Sequence, residues 1–393
     1  MNVPSSSVEN ESEERVISEF EGQHSSSHPL SEIKSSMTKD LNFSSKIQDV
    51  ESLPEKTNQD VKRNDIRFYR HQVAGHYPIF WKSGVICKPI QKNEHEFYLE
   101  VQKYAPQLVR FVPKYLGVVV MEYEELPQTP KGKSTPTKVS TEEKVKHGKK
   151  RENSDAYPFS QWGPHCHQKK RKAMQDRPTM RYIRLEDLTL PFSRPNILDI
   201  KIGTRVYGIG DDPQKIKRKI AKSASTTSHS LGLRLCGMQV FSSQQNTYTF
   251  RNKFYGRNLN ESGLEEAIEE FFTHDGALRS RIVKHFLKQI LELLDVVSKQ
   301  KTFQFFSSSL LFICEGCQPT DQKRLHGGVK NGDFQRIDLR FIDFAQAARD
   351  IEKKGVDKGF LQGLQNIVSI LRKLSEQERK RKRSVNNNVS KVE

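Results

Sequence analysis

The chain has 393 residues, 34% of them apolar and 29% charged, with a formal net charge of +17. That length can bury one large core or two modest ones, and the low apolar share implies that part of the chain lies outside any core. No apolar run approaches the roughly 20 residues that cross a bilayer; an odd set of five cysteines (Cys87, Cys166, Cys236, Cys314, Cys317) without a secretory leader argues against a disulfide framework and for a reducing, intracellular setting.

The charge is uneven. Residues 1–60 hold five Lys/Arg against twelve Asp/Glu, a balance of −7, which leaves +24 for the remainder. A body that basic expects a polyanionic partner: nucleic acid, an anionic membrane or a phosphate-dense small molecule.

In chain order, residues 1–64 are Ser-, Glu-, Asn- and Gln-rich and cannot bury enough surface to offset chain entropy, so a disordered acidic N-terminus is expected. "VICKPI" and "YLGVVVMEY" then read as strands around a short helix, "EHEFYLEVQKYA", making a small β-rich lobe over 65–123. Residues 124–180 are Pro, Ser, Thr and Lys without period, the composition of a mostly disordered insert. Structure resumes over 181–375 as a larger α+β lobe. Its strands are "PNILDIKI", "GLRLCGMQVF", "SSSLLFICEG" and "IDLRFIDFA". Its helices are "DPQKIKRKIAKSA", "GLEEAIEEFFTH" and "ALRSRIVKHFLKQILELLDVVSKQ". Residues 376–393 form a basic, then polar, tail. A small β-lobe, a hinge and a larger α+β lobe make the plan of a two-lobed kinase-like fold, with a nucleotide in the cleft.

Within "RPNILDIKIGTR", Asp199, Lys201 and Gly203 alternate with Ile200 and Ile202. On a strand, residues two apart share a face, so an acid and a base stand side by side above a bare backbone. Phosphoryl transfer needs cations on the phosphates, a carboxylate for Mg²⁺ and a positioned acceptor. Lys88, on a strand of the small lobe, can reach nucleotide phosphates, although a solvated strand lysine reads the same way. Asp343 ends the strand "LRFI" and can hold Mg²⁺, which needs only one or two carboxylates beside phosphate oxygens; an ordinary strand-end Asp is the plain alternative. Gly75 in "HQVAGHY" is a thin signal for a phosphate loop. "RLEDL" falls where a hinge would meet an adenine edge. Lys215, Arg218, Lys219 and Lys222 share one face of a helix, with Ile216 and Ile220 expected to anchor the other. Four like charges repel, so either an anion covers that face or it is simply solvated. Cys314-Glu315-Gly316-Cys317 resembles half a zinc site without its partner pair, His165-Cys166-His167 is similarly unsupported, and "KKRKA" and "KRKR" fit either solvated faces or import and nucleic-acid patches.

"PNILDIKIGTR" also carries the Pro-x-x-x-Asp-x-Lys-x-Gly pattern of the inositol polyphosphate kinases, followed by "SSSLL" and "FIDFA" in that family's order. The chain resembles that family over roughly 68–125 and 157–372, and "HQVAGH", "PHCHQ", "GLRLCGMQVF" and "RNKFYGR" resemble its inositol hexakisphosphate kinase branch most. The resemblance implies an ATP-grasp-like two-lobed kinase that uses ATP and Mg²⁺ to phosphorylate inositol hexakisphosphate or a related inositol phosphate. It implies Lys88 on the ATP phosphates, Glu186 and Leu188 offering backbone atoms to adenine, and Asp199 beside the ribose and the catalytic centre. It implies Lys201 on the phosphate in transfer, Asp343 on Mg²⁺ and Ser307 to Ser309 beneath the phosphates. The acceptor would be met by Pro195, Asn196, Ile197, Leu198, Asp199, Ile200, Lys201, Ile202 and Gly203, the glycine leaving room for the anion, and by Lys215, Arg218, Lys219 and Lys222. Gln346 stands where the family usually has His, which bears on substrate preference. A monomer of the cytoplasm or nucleus that requires no nucleic acid is expected. The rival readings are a kinase of less phosphorylated inositols and, in another class, a non-catalytic basic binder of nucleic acid or anionic lipid.

Overall fold

The computed structural model describes residues 65–127, 160–177, 179–316, 336–349 and 355–389. The acidic segment 1–64, residues 128–159, Cys317 and the last four residues lie outside that set. No helix among the described residues is long and apolar enough to cross a membrane.

The first sheet is built from β1 (Ile66–Phe68), β2 (Phe80–Lys82), β3 (Val85–Pro89), β4 (Tyr115–Glu122) and β5 (Thr179–Glu186), in the order β1-β2-β3-β5-β4 and antiparallel throughout. Helix α1 (Lys92–Tyr104) lies between β3 and β4 in the chain. Its buried residues Glu94, Phe97, Tyr98 and Val101 recur at i, i+3, i+4 and i+7, the stripe of an amphipathic helix.

Two boundaries differ from the sequence reading. Strand β5 was expected to open the larger lobe, but it sits between β3 and β4, with Ile183 opposite Lys88. Tyr182, Ile183 and Leu185 are buried there, which drives the pairing. The segment after β4 is thus an excursion between neighbouring strands of one sheet, and the lobes are joined by residues 187–194. Nor is the described part of that segment irregular: Trp162–Gln175 form helix α2. Its inward face is Gly163, Cys166, His167 and Met174, a helical period written in small and polar residues.

The second sheet has the order β13-β12-β6-β7-β8, again antiparallel. Its strands are β6 (Pro195–Ile202), β7 (Leu233–Ser242), β8 (Thr247–Arg251), β12 (Ser309–Glu315) and β13 (Ile337–Ile342). The short pairs β9 (Thr273–His274) with β10 (Ala277–Leu278), and β11 (Phe303–Phe305) with β14 (Ala347–Arg349), complete the strands. Three short helices, α3 (Pro213–Ala224), α4 (Thr227–Ser230) and α5 (Lys253–Asn258), flank β7. Three further helices, α6 (Glu261–Phe272), α7 (Ser280–Lys299) and α8 (Lys358–Val389), pack on the sheet through Leu264, Phe271, Phe286, Ile290, Phe360, Leu364 and Leu371, all fully buried. The basic tail expected from 376 onward continues α8 as helix to Val389, where Arg381 pairs with Glu269 of α6 at 3.4 Å.

Candidate active site

Lys88 of β3 places its Nζ 2.7 Å from Glu94 Oε1 and 2.6 Å from Asp343 Oδ1. Asp343 follows β13 with φ +66, a left-handed conformation that a non-glycine residue adopts only under constraint. Burial works against charge on both partners, but the ion pair outweighs it: Lys88 is held above its usual value and Asp343 below its own. Glu94, 1% exposed, was absent from the sequence candidates. Its signal was present, because an acid on the apolar stripe of α1 must find a buried cation. Glu94→Gln would leave Lys88 to Asp343 alone, where it competes with a metal cation. The expected result is a rise of about tenfold in the Mg²⁺ concentration that half-saturates turnover, read by titrating Mg²⁺ at fixed nucleotide.

Strand β6 brings Asp199 beside this group. Asp199 is 4% exposed, and its carboxyl is pushed up to about 7, first by burial and then by the charge of Asp343. The two aspartates therefore share one electrostatic neighbourhood. Ser309 hydrogen-bonds Asp199, yet Asp199 Oδ1 is buried with no hydrogen-bond partner. A buried, orphaned carboxylate oxygen, with a second carboxylate near enough to act on its charge, is a donor set that fits a hard divalent cation. No group of three or more His, Cys, Asp or Glu among the described residues gathers as metal ligands, so Asp343 with Asp199 would hold Mg²⁺ together with phosphate oxygens.

Lys201 donates from Nζ to the Ser307 carbonyl at 2.6 Å, and Ser307 itself has φ +60. Ser307 thus positions Lys201 and Ser309 positions Asp199, while Ser308 between them is fully buried. The rest of β6 departs from expectation. As the central strand it is covered on both faces: Asn196, Leu198, Ile200 and Ile202 are 0% exposed, Ile197 is 1% and Pro195 is buried, so none of them can meet an acceptor. Gly203 is also buried, and it is needed for another reason than an anion. Its φ is +100, and a Cβ would sit 3.7 Å from the Phe305 carbonyl and 3.9 Å from the Phe360 backbone at the start of α8. Those are ordinary contact distances, so it is the left-handed backbone at the end of β6 that calls for glycine there, and the buried position leaves no room for a substrate.

At the hinge, the Glu186 N–H donates to the Lys114 carbonyl at 3.1 Å and is not free for an adenine edge. The Glu186 carboxylate accepts from the Lys114 N–H at 2.8 Å and lies 3.6 Å from Arg340. Leu188 is 9% exposed and packs with Val73, Ile197 and Ile313. Asp187 between them accepts from Tyr69, Thr189 N and Thr189 Oγ1, which fixes the turn.

The β1–β2 loop, residues 69–79, spans the two sheets. Gln72 donates to the carbonyls of Ala74 and Tyr77 and accepts from Ile79 N. Gly75 (φ +100) receives the Trp162 indole N–H at 3.2 Å. The loop rests on β7 so closely that a Cβ on Gly237 would lie 2.2 Å from the Val73 carbonyl. Gly237→Ala is therefore expected to displace the loop and destabilise the protein by about 2 kcal/mol, measured as a lower midpoint of thermal unfolding.

One flank of this loop is strongly cationic. His76, Lys201, Lys222, Arg234, Lys253 and Arg257 act on one another electrostatically. Burial first, then Lys253, lowers His76; burial first, then Arg257, lowers Lys253; burial first, then Arg234, lowers Arg257. Lys222 is lowered mainly by Arg257. None of Lys222, Arg234, Lys253 and Arg257 forms an ion pair with a carboxylate among the described residues. Such a concentration of unmatched cations is a receptor for a dense anion. The α3 face contributes less than expected. Lys215 and Lys219 are already paired with Asp211, at 2.7 and 2.6 Å, and Arg218 is exposed with its Nε toward the Gln214 carbonyl. Ile220 is 48% exposed and anchors nothing. Only Lys222 joins the basin. The others, Arg234, Lys253 and Arg257, come from β7 and α5; "RNKFYGR" was noted for its resemblance, but nothing in its spacing gave its cations a role. Gln346 abuts Gly208 in the loop before α3, since a Cβ there would lie 2.1 Å from Gln346 Oε1. Cys314 is buried against Arg279, and Cys317, its companion in the zinc-like spacing, lies outside the described residues.

A family model described as inositol polyphosphate kinase matches residues 182–372. The chain is 29% identical over 381 residues to inositol hexakisphosphate kinase 3 of Mus musculus, a match spanning 79% of this chain and 95% of that protein. It is 27% identical over 403 residues to inositol hexakisphosphate kinase 2 of Homo sapiens, spanning 78% and 94%. Among solved structures it is similar to an inositol phosphate multikinase of S. cerevisiae in complex with ADP and Mn²⁺, with a TM-score of 0.51 and 27% identity over 74% of this chain and 98% of that one.

Proposed function

We propose that the chain, which the inositol polyphosphate kinase model matches over residues 182–372, is an inositol hexakisphosphate kinase, moving the γ-phosphoryl group of ATP onto inositol hexakisphosphate and forming a diphosphoinositol pyrophosphate. The observation that carries this reading is the union of two features. The Lys88–Glu94–Asp343 cluster with Asp199 suits a nucleotide and its cation, and it adjoins a basin of cations without matching carboxylates.

Each residue has a task. Lys88, steadied by Glu94, neutralises phosphate oxygens of the nucleotide. Asp343 and Asp199 would hold Mg²⁺, which supplies charge neutralisation between the phosphates when bound. Lys201, fixed by the Ser307 carbonyl, meets the group in transfer. The acceptor oxygen belongs to a phosphate and is already anionic near neutral pH, so no proton has to be removed before attack. Asp199 is thus a ligand rather than a general base. The obstacle is repulsion between two anions, and Lys253, Arg257, Arg234 and Lys222 offset it. The free thiols of Cys87, Cys166, Cys236 and Cys314 suit a reducing compartment, cytoplasm or nucleus.

Lys253→Ala and Arg257→Ala should each raise the acceptor KM about tenfold, the scale of one charge-assisted hydrogen bond, with the ATP KM within twofold. The same electrostatics make the acceptor KM rise with salt. The deciding experiment incubates the purified protein with ATP, Mg²⁺ and inositol phosphates of increasing phosphate number and separates products by charge. Turnover confined to the less phosphorylated acceptors would replace the proposed substrate, and absence of turnover with all of them would leave a binding protein.

A further inference from the structure

Helix α2 has no part in the chemistry above, yet it grips the loop that reaches the site. Trp162, at its first residue, donates its indole N–H to the Gly75 carbonyl at 3.2 Å. Across its ring lies the Lys253 ammonium, 5.2 Å from the centroid, within the roughly 6 Å at which a cation is attracted to an aromatic face. His165 packs beside the same ring at 5.1 Å. One turn on, Cys166 Sγ approaches the Gly75 carbonyl at 3.9 Å, and the Lys170 ammonium stands 4.9 Å from the ring of Tyr77. Just before the helix, Ser160 N donates to the Arg70 carbonyl at 3.0 Å. The helix therefore holds the loop on both sides of His76, at Gly75 and at Tyr77, while its first residue faces a lysine of the acceptor basin. Lys88, Glu94, Asp199, Lys201 and Asp343 all lie on other elements.

We propose that Trp162 is a positioning residue for the acceptor, keeping Lys253 and the Gly75–His76 loop tip in register, so that the helix inserted between β4 and β5 takes part in acceptor selection. This rests on the kinase reading above. Lys253 stands on α5 with no carboxylate partner among the described residues, so the indole face limits where its long side chain points. Lys169 of α2 adds a further cation on the same side, acting on Lys253. The end of the basin next to α2 is where the outlying phosphates of a highly phosphorylated ring would rest.

The test compares wild type, Trp162→Ala, Trp162→Phe, Lys253→Ala and the double variant Trp162→Ala/Lys253→Ala. KM for inositol hexakisphosphate and for ATP is measured in each, and affinity for the acceptor without nucleotide is read by calorimetry. Trp162→Ala should raise the acceptor KM and Kd about tenfold while the ATP KM stays within twofold. Trp162→Phe, which keeps a ring under Lys253, should recover most of that loss. In the Lys253→Ala background the removal of Trp162 should add less than twofold, because the two act through one another. Effects that multiply independently, a Phe variant as impaired as the Ala variant, or an ATP KM that rises in step would overturn the proposal. A wild-type protein that binds the acceptor in calorimetry but never turns it over would refute the kinase reading and leave the positioning claim to be judged on Kd alone.

Discussion

Asp343→Asn is expected to reduce kcat by about 10³-fold, equivalent to about 4 kcal/mol of transition-state stabilisation at 1.36 kcal/mol per tenfold. The substitution keeps the shape of the side chain and removes the charge that both pairs with Lys88 at 2.6 Å and stands toward Asp199. Acceptor affinity should change by less than about threefold, since the basin is built by α5, β7 and the end of α3. Stability should fall as well. The Asp343 carboxyl lies below its usual value, so its ionised form contributes stability that is present above about pH 4 and is lost as the pH drops further. Steady-state kinetics together with equilibrium binding would check both halves; a variant that retained a tenth of wild-type kcat would remove Asp343 from the reaction.

Asp199→Asn should move activity and stability in opposite directions. The wild-type carboxyl is raised to about 7, through burial first and the neighbouring Asp343 second, while Ser309, Lys201 and Lys88 only partly oppose this. An aspartate whose folded value exceeds its unfolded value of about 3.9 costs stability as pH rises. The cost is absent below about pH 4, grows between 4 and 7, and is complete above 7. About three pH units correspond to about 4 kcal/mol. With divalent cations chelated at pH 8, the variant should therefore melt several degrees above wild type, and at pH 4 the difference should vanish. Turnover should meanwhile be largely lost, as one of the two carboxylates suited to the cation is gone. An unchanged or lower melting temperature at pH 8 would show that the buried carboxylate is accommodated without strain. A residue that destabilises its own fold is retained for what it does there.

The amphipathic stripes and alternating strands made most of the architecture readable, because burial selects for the 3.6- and 2-residue periods directly. Asp199 and Lys201 were readable because acid and base share one face of a strand, and Asp343 because it ends another strand. What escaped falls into two kinds. Helix α2 repeats at the helical period but fills its inward face with Gly163, Cys166, His167 and Met174, so hydrophobicity alone did not mark it. The cation basin escaped because Arg234, Lys253 and Arg257 converge only through the packing of α5 on β7, and no local pattern encodes that. Conversely, the run from Pro195 to Ile202 was over-assigned: a strand at the centre of a five-stranded sheet is closed on both faces, and only Asp199 and Lys201 reach the cleft. Gly203 was noticed for its lack of a side chain, but what the position demands is a left-handed backbone, with φ +100.

Lys88 and Asp343 meet although they stand 255 positions apart in the sequence. A contact of such span closes only after both sheets have formed and docked, so no fragment or half-assembled intermediate can hold a nucleotide there. Any ligand that binds the completed cleft draws its free energy from the assembled unit and returns it to the whole. Occupancy of the cleft thereby reports on the integrity of the entire unit, and saturating substrate would shield even distant helices such as α8 from proteolysis.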